Sequence, residues 1–596
     1  MTLTEFSSPS AVDHEPRTLP QILLDNAAQA PDAVVLGRRE GEGWRDVTSV
    51  DFLREVTEVA RGLVASGVGP GDRVALMAKT RYEWTLLDFA IWHCGAVTVP
   101  VYETSSAEQV AWILSDSRAV ACVVETPAHA ATVASVRDRL PDLREVWTFD
   151  EGAVEHLVQA GAGVDEEALA AARAGQDADS VATIIYTSGT TGRPKGCELT
   201  HANFTLLADN VVAVLGSVVS APGAASLLFL PLAHVFARFI QVLCLSARAR
   251  LGHAPDVTHL TDDLASFRPT FVLAVPRVFE KIYNATEARA AASGKSSIFR
   301  AASQTAIEYS RSLDDGGPGL LLRLRHAVFD RLVYARLRAA LGGRVEWAVS
   351  GGAPLGERLA HFFRGAGITV LEGWGLTETT APVSVNRPEL VRVGSVGLPL
   401  PGVSVRVDAD GELLVSGINV MRGYHGDPEA AGSVLVDGWL RTGDLGEIDD
   451  DGYVRITGRK KELIVTAGGK NVSPMQLEDV IRAHPLISQC MVVGDQRPYV
   501  AAMITLDPEM LGTWLSTHGL PPMDVPAAAA DPTVRAELQR AVDAANATVS
   551  RAEAIKRFTV LDFDLTEADG YLTAKQSLRR QVIMKDLAST VDDLYA

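Results

Sequence analysis

The chain has 596 residues, 47% of them hydrophobic and 22% charged, with a formal net charge of −19. That length is too great for one compact core, and the acidic balance argues against nucleic acid as the main partner, since phosphate-backbone binding needs a net basic face. A local basic pocket for a phosphorylated small molecule stays open. The first twenty residues lack the basic-then-apolar order of a signal peptide. Apolar runs and amphipathic stretches then alternate from about Leu19 to Glu125. DRVALMA (72–78), AVTVPVY (96–102) and AVACVVE (119–125) read as buried strands, with a helix over Trp84 to His93. Similar strand signals recur at 181–185, 226–232, 270–276 and 344–352. This rhythm predicts an α/β fold of βαβ units on largely parallel sheets.

The apolar window from Ala224 to Ala247 is interrupted by His234, Arg238 and Gln241 and reads poorly as a membrane span. A long helical region follows from Glu280 to Gly343, broken by the turn signal DDGGPG (314–319). After Gly394 come short strands and tight turns, and past Arg459 a compact unit with a helix at MQLEDVIRAHP and strands at CMVVGD and YVAAMITLD. PPMDVPAAAADP (521–532) is expected to be a surface loop. Cys94, Cys122, Cys197, Cys244 and Cys490 are odd in number and form no CxxC pair, so neither a disulfide framework nor a structural zinc site is indicated. The expected compartment is the reducing cytoplasm, with peripheral contact at the inner membrane face left open.

The densest chemistry lies in YTSGTTGRPKG (186–196), which follows the apolar run Val181–Ile185. Gly189 and Gly192 allow close approach by a ligand; Thr187, Ser188, Thr190 and Thr191 supply hydroxyls; Arg193 and Lys195 supply cations. Such a loop suits a polyphosphate, although its glycine spacing is not that of GxxxxGK[ST]. Composition alone leaves an exposed Gly/Ser hairpin equally open.

This stretch resembles the phosphate-binding signature of the acyl-adenylating superfamily, which includes acyl-CoA synthetases, peptide-synthetase adenylation domains and beetle luciferases. Further motifs stand in that family's order: PLAHVFAR (231–238), SGGAPL (350–355), EGWGLTETT (372–380), RTGDLG (441–446), GRKKELIVTAGGKNVSP (458–474) and LTAKQSLRR (572–580). VPRVFEKIY (275–283) and the helical region after it resemble the long-chain fatty acyl-CoA synthetase branch. The resemblance implies a large N-terminal domain, residues 1–458, of parallel-sheet αβ subdomains plus a distorted β-barrel. A small mobile α+β C-terminal domain, residues 459–596, would follow.

The implied reaction joins a long-chain fatty acid to coenzyme A. A carboxylate attacks the α-phosphate of ATP to give an acyl-adenylate and pyrophosphate, and the thiol of CoA then expels AMP. By the same resemblance Thr187 to Lys195 hold phosphates, Glu378 with Thr187 holds Mg2+, and Thr377 lies beside the α-phosphate. Gly351, Gly352, Ala353, Trp374 and Gly375 form the adenine site. Asp444 binds ribose, Arg459 reaches ribose or phosphate, and Lys461 is the hinge. His234 shapes the carboxylate site. Ala237 stands where the family usually has Glu, which removes a carboxylate near Arg238. Phe236, Phe239, Ile240 and Leu243 suit either an acyl tunnel wall or plain core. The adenylation lysine is expected three residues before the final arginine of LTAKQSLRR, which is Ser577; the nearby Lys575 is taken for the role. A fatty acyl-AMP ligase serving a carrier protein, and a degenerate nucleotide-binding homologue, are the alternatives.

Overall fold

A computed structural model describes residues 2–187, 193–255, 259–573 and 577–596. The early apolar runs form the expected buried strands. Arg73–Met77 lies parallel to Val97–Val101 and to Ala121–Val124, and Val97–Val101 lies parallel to Val181–Thr187. With Glu145–Thr148, Lys195–Thr200 and Gly423–Tyr424 they make a seven-stranded sheet. A nine-stranded sheet stands beside it, with a parallel centre of Arg250–His253, Ala225–Leu228, Phe271–Ala274, Trp347–Ser350 and Thr369–Leu376. Continuous apolar runs are what strands covered on both faces require.

The expected barrel is an open sheet among the described residues. Glu5–Ser8, Val403–Val407, Glu412–Gly417 and Trp439–Ile448 pair in series, and Leu435–Val436 and Val454–Arg459 add to the last of these. A single bridge from Leu3 to Ile448 reaches across. Closure needs a continuous ladder with matched shear, and that bridge does not extend into one. The segment at 521–532 also departs from expectation. Val525–Ala530 is helical, with the Asp524 carboxylate accepting from the Ala527 N–H at 2.9 Å. A good N-cap followed by four alanines makes the helix despite Pro526, which sits in the first turn where it is tolerated.

Helix His201–Val219 is apolar and long enough to cross a membrane, but 56% of its most apolar window is buried inside the protein. Thr200 caps it, and Asn203 closes a capping box before donating to the carbonyls of Ile418 and Val420. Those two bonds fix the segment that carries Met421 and Tyr424.

Past Arg459 the chain builds a separate core from Ile487–Val493, Val500–Leu506, Ile555–Val560 and the helices over them. It meets the preceding part of the chain largely through polar contacts. Arg277 pairs with Asp507 at 2.7 Å, Lys281 with Glu509 at 3.1 Å, and Thr104 donates to Glu567 at 3.2 Å. All five cysteines are buried, and none is in a disulfide.

Candidate active site

The phosphate strand Val181–Thr187 turns back as Lys195–Thr200, with Thr187 opposite Lys195. Ser188, Gly189, Thr190, Thr191 and Gly192 lie outside the described residues. Their flanks are tightly held. The Trp112 indole N–H donates to the Pro194 carbonyl at 2.9 Å, and Arg193 lies over the same ring at 4.7 Å. Lys195 sits 5.1 Å from the centre of the Tyr424 ring and 4.0 Å from the Asp427 carboxylate. Tyr424 in turn donates its hydroxyl to Glu378 at 2.9 Å. One phenol therefore joins the cation beside the phosphate loop to the carboxylate expected to hold metal.

Glu378 stands in a single tight turn, Thr377–Thr379, whose shape the backbone enforces. Thr379 bonds the Leu376 N–H and the Ala381 carbonyl, and Thr380, in left-handed conformation at φ 54°, donates to Asn419 at 2.8 Å. Strained non-glycine backbone of this kind persists only where its surroundings over-determine it. The Met421 N–H donates to the Glu378 carbonyl at 2.8 Å. Gly375 is required by close approach, since a Cβ there would lie 1.6 Å from the Ala381 carbonyl oxygen. Thr377 is buried at the head of this turn.

Asp444 faces the other side of Trp374. It is 4% exposed, accepts from the indole Nε1 at 2.8 Å, and pairs with Arg459 at 3.1 Å across the ladder. Burial raises its pKa, and Arg459 opposes that shift. A carboxylate offers about four acceptor positions, so these two donors leave capacity for a pair of ribose hydroxyls. Trp374 is thus largely buried, with its polar edge committed to Asp444.

The third wall is the turn after Trp347–Ser350. Gly352 has φ 85°, and a Cβ on Gly351 would meet Phe236 at 3.1 Å, so this turn lies against the start of helix Val235–Ala247. Ala353 is exposed. His234 caps that helix, its Nδ1 accepting from the Phe236 N–H at 3.1 Å. Phe239, Ile240 and Leu243 are buried in the main core. The turn is pinned by Glu372, which accepts from the Leu355 N–H at 3.1 Å. Burial pushes the Glu372 carboxyl up to about 7, with Asp479 of the C-terminal unit and Glu357 adding to the shift.

In unfolded chain a glutamate titrates near about 4.3. The native state therefore holds a proton through the intervening pH range that the unfolded state has released. Glu372's contribution to stability is complete below the unfolded value and is lost as pH rises through about 7. Glu372→Gln is expected to flatten the dependence of melting temperature on pH across that window. A variant that keeps the wild-type slope would disprove the assignment.

Arg238, beside Ala237, has a carboxylate partner. Ala237 is buried, and the fully buried Arg238 is gripped by Asp88, with Nε to Oδ2 at 2.9 Å and a second bond from Nη2 to Oδ1. Gln241 donates to the same carboxylate at 2.9 Å, and Thr183 of the phosphate strand accepts from Arg238. Position 237 still offers no carboxylate, and Arg238 is held by Asp88 instead. Lys461 is exposed in the turn Lys460–Glu462, where its neighbour Lys460 pairs with Asp410 at 2.5 Å and Glu412 at 2.9 Å. Lys575 lies outside the described residues.

Residues 23–425 match the AMP-binding enzyme family, and residues 461–596 match the AMP-binding enzyme C-terminal domain. The chain belongs to the AMP-binding enzyme family. This AMP-binding enzyme is 48% identical over 581 residues, 96% of each chain, to the long-chain-fatty-acid–CoA ligase FadD15 of Mycobacterium tuberculosis. Among solved structures it is similar to ATP-bound MatB from Rhodopseudomonas palustris, with TM-score 0.70 and 25% identity over 96% of this chain and 98% of that one. The didomain of the carboxylic acid reductase from Segniliparus rugosus, solved with AMP, shares the fold at TM-score 0.75 and 22% identity, covering 99% of this chain and 84% of the other.

Three residues of this AMP-binding enzyme's site escaped sequence reasoning: Tyr424, Glu372 and Asp88. Tyr424 sits in MRGYHG, a stretch with no charge pattern of its own. Glu372 opens a recognised motif, and only its burial distinguishes it from any surface acid.

Proposed function

We propose that the protein is a long-chain fatty acid:CoA ligase (AMP-forming), built as residues 1–458 with a mobile C-terminal domain, 459–596, that hinges at Lys461. The observation that carries the nucleotide half is the Lys195–Tyr424–Glu378 connection, which puts a cation and a carboxylate at the mouth of the phosphate loop. The acid class comes from relatives named long-chain-fatty-acid–CoA ligases that align along nearly the whole chain.

In this reading the loop from Thr187 to Lys195 grips the β- and γ-phosphates, Thr377 lies beside the α-phosphate, and Asp444 accepts the ribose hydroxyls with Arg459 alongside. Gly351, Gly352, Ala353, Trp374 and Gly375 border the adenine. Donors fixed before the reaction stabilise developing charge without reorganising. Among the described residues no three metal-ligating side chains cluster, which fits Mg2+, an ion usually bound by one or two carboxylates together with substrate phosphates. Glu378 fits that part, since Tyr424 occupies only one of its oxygens, with Thr187 as the second protein ligand. Bound there, the ion supplies charge neutralisation between phosphate oxygens.

Two measurements test this. AMP release is followed across acids from acetate to oleate, with and without CoA. Free acyl-CoA from long acids supports the reading, and acyl-adenylate that never passes to CoA sinks it in favour of a carrier-directed ligase. Tyr424→Phe removes one hydrogen bond to a charged group, worth about 1.5–3 kcal/mol. Its catalytic efficiency with ATP is expected to fall about tenfold or more, with weaker apparent Mg2+ affinity and an unchanged fold. Wild-type Mg2+ dependence would count against Glu378 as ligand.

A further inference from the structure

Helix Leu320–Phe329 follows the Gly-rich turn at 315–319 and has no fully buried residue. Its inner side is nevertheless firmly seated. His326 stacks on Tyr309 with ring centres 3.9 Å apart and bonds the Gly365 carbonyl at 2.6 Å, and Phe329 and Val333 pack on the neighbouring core. The outer side is where leucines stand: Leu320 is 75% exposed, Leu321 84%, Leu324 58%, Val328 58% and Leu332 48%. From Leu321 to Leu332 the steps are three, four and four residues, and Leu320 lies four before Leu324, which places them on one stripe. A solvent-facing helix ordinarily turns polar residues outward. Single exposed apolar residues need no explanation, but a contiguous run of them does. Among the described residues, seven of the thirteen most exposed large hydrophobics fall between Ile298 and Leu332.

The charge around the stripe is equally unusual. From residue 320 to 338 the chain carries five arginines against one aspartate, in a protein of net charge −19. Arg325 pairs with Glu308 and Arg338 with Asp330. Arg331 and Arg336 are exposed and form no ion pair among the described residues.

We infer that this leucine-and-arginine face docks the protein on the surface of an anionic lipid bilayer. Ten helical residues span about 15 Å, too short to cross about 30 Å of hydrocarbon, so the helix lies in the interface with leucines in the acyl boundary and arginines at headgroup phosphates. A second copy of the chain is the poorer occupant, because pairing two such faces would bring like charges together. The proposal goes beyond the ligase reading and stands on the segment from Leu320 to Arg338.

The test is sedimentation of the full chain with lipid vesicles of phosphatidylcholine, alone or mixed with phosphatidylglycerol. Wild type is expected to sediment with the mixed vesicles and to be released by salt. Leu321→Glu with Leu324→Glu should weaken binding by about tenfold or more. Arg331→Glu should cost about fivefold or more on anionic vesicles. AMP release from a short soluble acid, measured without vesicles, should stay at the wild-type level in each variant, which separates this proposal from the ligase reading. Wild type that ignores anionic vesicles, or leucine variants that bind as well as wild type, would overturn it. So would a concentration-dependent dimer abolished by the same leucine substitutions, which would assign the face to a second copy.

Discussion

Lys575→Ala is expected to slow acyl-adenylate formation by about a hundred- to a thousand-fold, the usual loss when one transition-state donor is removed. Thioester formation from supplied acyl-adenylate should survive. The described flanks of that lysine are well ordered by their own bonds. The Thr573 N–H donates to the Ser577 carbonyl at 2.9 Å, Arg579 to Tyr571 at 2.8 Å, and Leu572 bridges Leu578. Upstream, Glu567 accepts from Thr104, just beyond the C-terminal end of Val97–Val101. That strand pairs with the phosphate strand through Thr98 and Thr183, so this part of the C-terminal unit rests at the sheet edge from which the phosphate loop springs. A lysine stem is long and flexible, enough to absorb an offset of about two residues. Ser577→Ala serves as the comparison, because Ser577 occupies the position where the family places its lysine. ATP–pyrophosphate exchange that persists in Lys575→Ala, or that collapses only in Ser577→Ala, would reject the assignment.

Breaking the buried pair of Asp88 and Arg238 should be the most damaging single change to stability. Both side chains are 0% exposed, and the guanidinium sits 5.4 Å from the ring centre of Trp84 and 5.0 Å from that of Trp92. An isolated charge left in such surroundings costs about 3–5 kcal/mol. Arg238→Met strands Asp88 and is expected to lower the unfolding free energy of the N-terminal part by that amount in denaturant titration. Arg238→Met combined with Asp88→Leu should recover most of the loss, because apolar replacement of a whole buried pair is often neutral. A single variant as stable as wild type, or a double variant worse than the single, would contradict this account. The pair also links the helix beginning at His234 to Thr183 of the phosphate strand, so weakened nucleotide binding should accompany the instability.

Features written in contiguous residues were legible before any coordinates. The apolar strands and the turn at 314–319 each depend on local pattern, and each stands where the pattern put it. Features made by distant residues were not. Asp88 pairs with Arg238 although 150 residues separate them. Tyr424 reaches Glu378 because the cap at Thr200 and Asn203 holds the intervening segment in place. The stripe at Leu320–Leu332 reads the same in one dimension whether it faces a core or water. The barrel was expected by analogy, and only strand pairing decides closure.

The buried cysteines have a chemical consequence. Exclusion from water pushes the thiols of Cys94, Cys122 and Cys244 up to about 12 and raises that of Cys490 as well. Thiolate, not thiol, is the nucleophile. An enzyme that holds an activated acyl group for an incoming mercaptan thus keeps these four sulfurs out of competition: their self-acylation and their mixed disulfides with the acceptor are blocked for as long as the native state persists.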